Sequence, residues 1–248
     1  MSGTRVFEAR RYSAVLINDP DLPDVASVMR SLRVPESRST PIDIAVTDWT
    51  VARASIIGDT PHYPAANAHR TESGAYLTEL YVAAPTDSAS SGVLLASPYV
   101  RLLATCLRDM ASSVRRDVVF VKPDMDALFT HFERTRTPHL SATRISVLME
   151  GDVGLEVVSL SGRNPLRSDL RHALLKVASP YSIRIKGTYL DSRGTNMHAD
   201  RHGNVWWYLS SEAALVNVLA MINVVRHGGM LSQTTSSPLK RAFQEDEN

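Results

Sequence analysis

The stretch IRIKGTYLDSRGTNMHADRHGNVWWYL, residues 183–209, decides how this chain is read. Ile183, Ile185 and Tyr189 mark one strand, and two more are predicted near residues 195–199 and 204–209. Between them lie Asp191-Ser192-Arg193-Gly194 and Asp200-Arg201-His202-Gly203. Asp at the first position and Gly at the fourth is the chemistry of a type I turn, so the segment is predicted to be a three-stranded meander. Strand side chains alternate between faces. Trp207 therefore shares a face with Val205 and Leu209, and Trp206 shares the other with Tyr208. The apolar set predicts that Trp207 and Leu209 are buried and that Trp206 and Tyr208 point outward.

The same alternation extends upstream. Ile145, Val147 and Met149 alternate, Glu150-Gly151-Asp152 turns the chain, and Val153, Leu155 and Val157 alternate back as a hairpin. Ser168 is placed to cap a helix carrying Leu170, Leu174 and Val177. Ser210 or Ser211 caps the most apolar helix, through Leu215, Val218, Leu219 and Ile222. That helix ends in Arg226-His227 before Gly228-Gly229, as helix C-termini prefer.

The first half is less regular. Tyr12 to Asn18 reads as a strand, and Pro23 as the first helical position before Val25, Val28, Met29 and Leu32. Ile42, Ile44 and Val46 alternate, then Trp49 and Val51 continue out of phase, which predicts a bulge or tight turn at Thr47-Asp48. Residues 59–74 read as a loop, Tyr76 to Ala83 as a strand, and 84–92 as a small-residue loop. Ser97-Pro98 is predicted to open a helix with Leu103, Cys106, Leu107, Met110 and Val114 on its buried stripe. Val118 to Val121 is a short strand, and Pro123-Asp124 begins a helix carrying Met125, Leu128, Phe129 and Phe132.

These elements predict an α+β fold of mostly antiparallel sheets with flanking helices. The order suggests two loosely similar β-α-β-β-β-α halves, over residues 12–114 and 153–227. The expected organisation is an α+β half at 1–134, a second at 144–229, and a polar tail or interaction arm at 230–248.

Composition narrows the function classes. Of 248 residues, 44% are hydrophobic and 21% charged, and the net charge of +1 gives no bulk attraction to nucleic acid or acidic membrane. Arg dominates the basic set, with Lys only at Lys122, Lys176, Lys186 and Lys240. Cys106 is the single cysteine, so no disulfide within the chain and no cysteine-based zinc site is expected, and a cytoplasmic or other reducing compartment fits. No apolar run is long enough for a transmembrane helix, and the N-terminus carries no signal-peptide pattern. No cofactor is expected, since GxGxxG, Walker A, HExxH and GxSxG are all absent.

Two clusters and one tail carry the functional expectations. His198, Asp200 and His202 offer acid–base chemistry, although Asp200 is expected to cap the hairpin turn and hold no metal. Lys186, Arg193 and Arg201, interleaved with Trp206 and Tyr208, match the basic and aromatic pattern of single-stranded nucleic-acid binding. Leu239 and Phe243, four apart and flanked by Lys240 and Arg241, would form one helical face that docks on a neighbouring subunit or on the chain's own domain. The leading expectation is a non-enzymatic interaction or assembly protein that self-associates or binds a macromolecular partner. A nucleic-acid-binding module using 183–209 is the first alternative. A hydrolase of unrecognised family using His198, Asp200 and His202 is the second.

Overall fold

The computed structural model describes residues 10–34, 39–42, 48–58, 69–70, 76–86, 92–151, 154–189, 193–209, 212–235 and 239. The chain is mixed α and β, with sheet predominating and every registered strand pair antiparallel. No helix among the described residues is long and apolar enough to cross a membrane. Two compact units emerge, one of Tyr12–Val121 with the chain from Gln233, the other of Lys122–Ser232 with the chain up to Arg11. The helix at 125–134 packs on a strand of the later unit, so it belongs there. Leu239, near the end of the described residues, is buried in the core of the earlier unit.

In the 12–121 unit, β1 (Arg10–Ile17) leads into α1 (Val25–Ser31). Asp24 caps this helix: its carboxylate accepts from Ser27 N at 2.7 Å and Ser27 Oγ accepts from Asp24 N at 3.2 Å. Pro23 thus lies just before the cap, not at the first helical position. The strands β2 (Ser39–Ile42), β3 (Trp49–Gly58), β4 (His69–Arg70), β5 (Tyr76–Pro85) and β6 (Val93–Ser97) follow. They order as β2-β3-β5-β6-β1 with β4 beside β5. All five β6 positions are buried, and Val82 faces Leu95, which faces Val15 in turn. The Thr47 turn expected from the phase change lies outside the described residues.

Helix α2 (Val100–Val114) covers the unit with Leu102, Leu103, Cys106, Leu107 and Met110. It begins after Tyr99, later than Ser97-Pro98 suggested. Ser97 ends β6, and its hydroxyl donates to Glu79 O and accepts from Tyr99 N instead of capping a helix. Burial pushes the Cys106 thiol up to about 12, which leaves it an inert core residue. The buried Asp19 carboxylate is met by both terminal nitrogens of Arg116 at 2.6 and 2.8 Å, clamping the loop after β1 to the end of α2.

In the 122–232 unit, β7 (Phe120–Pro123) runs in from the earlier unit, and Asp124 caps α3 (Met125–Arg134) by accepting from Ala127 N at 3.0 Å. The hairpin β8 (Leu140–Gly151) and β9 (Gly154–Ser161) follows, its ends paired at Gly151 and Gly154. A 3-10 turn leads to α4 (Asp169–Leu174), where Ser168 accepts from Arg171 N as expected. Then come β10 (Ala178–Gly187), β11 (Thr195–Asp200), β12 (Val205–Leu209), α5 (Glu212–His227) and β13 (Leu231–Thr234).

The strand order is β12-β11-β10-β8-β9, with the predicted meander as its first three members. One face carries Ile145, Val147, Ile183, Ile185, Met197, Ala199, Val205 and Trp207, all buried, and packs against α3 and α5. The opposite face carries the candidate site.

Candidate functional site

The register of four strands lines up one row of side chains. Arg144 on β8 pairs with Arg184 on β10, Arg184 with His198 on β11, and His198 with Trp206 on β12. Directly opposed residues of an antiparallel sheet project from the same face. Because Ile145, Ile183, Met197 and Trp207 are the core-facing neighbours, this row lies on the other side. At about 4.8 Å per strand the row spans roughly 14 Å.

At its aromatic end the His198 ring lies on the Trp206 indole, centroids 3.5 Å apart and planes 6° from parallel. The guanidinium carbon of Arg11 lies 4.3 Å from the Trp206 ring centroid, within cation–π range. Tyr208 meets Trp206 edge-on at 6.0 Å and is itself 57% exposed. Trp207 is fully buried, so the predicted split between the two tryptophans holds. Leu209's side chain lies outside the described residues.

At its basic end the row sets two guanidinium groups opposite each other. Arg144 is exposed, while Arg184 is half-buried and its Nε has no hydrogen-bond partner among the described residues. Burial, together with the Arg144 charge, holds the Arg184 guanidinium below the usual arginine range. Burial also pushes the His198 imidazole down to about 3, helped by Arg184, Arg11 and Arg144, so it is neutral near pH 7. A neutral His198 does not add to the local charge, and the row keeps Arg11, Arg144 and Arg184 as its cations.

One register step along, a second row crosses the same strands: Ser159 on β9, Ser146 on β8, Ser182 on β10 and Asp200 on β11. Both rows line a cleft of about 470 Å³, completed by Val157, Tyr181, Ile183 and Ala199. Asp200 is the only carboxylate among the described lining residues, and it is engaged elsewhere. Its Oδ1 accepts from His202 N at 2.8 Å and Asn204 N at 3.0 Å, and its Oδ2 from Asn204 Nδ2 at 2.8 Å. Asp200 therefore organises its own turn and does not pair with the arginines.

The remaining residues singled out from the sequence are dispersed. Of the histidines in the His198, Asp200, His202 cluster, His202 packs edge-on against Tyr181 at 5.9 Å and His198 stacks on Trp206. No group of three His, Cys, Asp or Glu residues that could hold a metal occurs among the described residues. Lys186 continues the basic face one step beyond Arg184, but it does not line the cleft, and neither do the exposed turn residues Arg193 and Arg201. Leu239 is buried at 3% within the core of the 12–121 unit, and Phe243 lies outside the described residues.

Arg11, Arg144 and Arg184 were not singled out from the sequence. A signal for two of them was there: the core alternation of Ile145 with Val147, and of Ile183 with Ile185, puts Arg144 and Arg184 on the opposite face. No protein-family model matches the chain, and no curated protein matches it.

Proposed function

We propose that the protein binds single-stranded nucleic acid through the open face of the 122–232 unit. The observation that carries this reading is the direct cross-strand pairing of Arg144 with Arg184, while the one carboxylate among the described lining residues, Asp200, is taken up by its own turn. Like charges set opposite one another weaken a sheet. Their presence is accounted for when an anion lies across both, where planar guanidinium groups bind phosphate oxygens in pairs. The adjacent aromatics supply the second half of such a surface. Trp206 is engaged by His198 and Arg11, so Tyr208 is the ring offered to a base, and Trp206 holds Arg11 in place. The partner is a macromolecule and the role non-enzymatic.

The test is fluorescence anisotropy of a labelled 12-nucleotide single strand across a salt series. Each neutralised phosphate contributes a slope of about −0.7 in log K against log salt. Arg11, Arg144 and Arg184 together give about −2, and the double variant Arg144→Ala, Arg184→Ala lowers that slope by about 1.4. Absence of binding at low salt, or a slope that the double variant leaves unchanged, overturns the proposal.

A further inference from the structure

We infer that the cleft selects ribose over deoxyribose, a preference that rests on the nucleic-acid reading above and names its ligand class as RNA. The serine row runs beside the arginine row at a spacing of two residues along each strand, about 7 Å. A strand whose phosphates lie on Arg144 and Arg184 therefore carries its sugars over Ser159, Ser146 and Ser182.

Ser146 and Ser159 face each other across β8 and β9, with hydroxyl oxygens 2.8 Å apart. One hydroxyl donates its proton within this pair, and the other keeps a proton to give outward. Both retain lone pairs. A ribose 2′-hydroxyl, which is donor and acceptor at once, satisfies such a pair in either sense. Ser146 is only 6% exposed and Ser159 is exposed, so Ser159 is the contacting hydroxyl and Ser146 the group that positions it. A deoxyribose over the same place excludes water from Ser159 and returns no hydrogen bond, which is how a hydroxyl-reading site rejects the analogue lacking it.

The experiment uses the full chain with three labelled 12-mers of one base composition: ribose, 2′-fluoro and deoxyribose uridine strands. The 2′-fluoro strand keeps the ribose-like sugar pucker but has no proton to donate. The ribose strand binds about tenfold tighter than the other two, about 1.4 kcal/mol. Ser159→Ala brings all three to the deoxyribose affinity with the salt slope unchanged. Ser159→Ala takes from the buried Ser146 its hydroxyl partner, so a thermal melt run alongside confirms that the variant stays folded. Equal binding of ribose and deoxyribose strands overturns the inference and leaves nucleic-acid binding standing. A 2′-fluoro strand that binds like ribose, or a preference that survives Ser159→Ala, also overturns it. Failure of all three strands to bind removes this inference together with the reading beneath it.

Discussion

His198 lies flat on Trp206, 3.5 Å between centroids, and is neutral where an ordinary histidine would be gaining charge. Its imidazole titrates at about 3 instead of 6.5, because burial and three neighbouring arginines oppose a proton. Between those two values the unfolded chain binds a proton that the native chain refuses. Stability therefore falls as pH drops from about 6.5 toward 3 on this group's account. His198→Phe keeps the stack and flattens that part of the acid limb, read by urea unfolding at successive pH values. An NMR titration of His198 gives the low pKa directly, and a bound anion raises it.

The two adjacent tryptophans respond differently to truncation. Trp207 is wholly buried, so Trp207→Ala costs about 3–5 kcal/mol of unfolding free energy. Trp206 is half-buried and contributes a stack and a cation–π contact, so Trp206→Ala costs about 1–2 kcal/mol. Its larger effect is on binding, because Arg11 and His198 lose their support. Denaturant unfolding and anisotropy on the same samples separate the two effects.

Gly187 lies at the end of β10, against Met221 of α5. A Cβ there would come within 3.2 Å of Met221 Cγ and Sδ. Gly187→Ala is expected to cost about 1–3 kcal/mol by overpacking. Adding Met221→Ala restores part of that loss, although Met221→Ala alone is destabilising. The sign of the coupling in this double-mutant cycle is the check.

Leu239→Ala removes a side chain that is 3% exposed in the core of the 12–121 unit and costs about 2–5 kcal/mol. The loss is local to that unit. Hydrogen exchange speeds up around Val15, Val28 and Leu103 while β8 to β12 keep their protection. Uniform acceleration across both units would count against a confined role.

The fold was most legible where apolar and polar residues alternate. The 145–157 hairpin and the meander of 183–209 appear where alternation put them, and Trp207 went to the core on the strength of Val205 beside it. Strand β6 escaped because Val93 to Ala96 are all apolar, and a strand buried on both faces has no period to detect. Ser97-Pro98 mimicked a helix start because serine and proline are common there, yet the serine hydroxyl was needed by Glu79, a partner 18 residues away. The site was legible by residue type but not by position. Aromatics and basic side chains were expected on 183–209, whereas the arginines lining the cleft include one from β8, brought beside Arg184 only by the pairing of β8 with β10. Such pairings join residues 40 apart in the chain, and local periodicity carries no record of them.

The return of Leu239 to the earlier unit has a consequence for the order of events during synthesis. Residues 12–121 leave the ribosome first, but a buried member of their core is translated more than a hundred residues later. The 122–232 segment is complete before that leucine emerges, so the part made second is the part able to finish first. Until Leu239 is made, the core it shares with Val28 and Leu103 is short of one buried member.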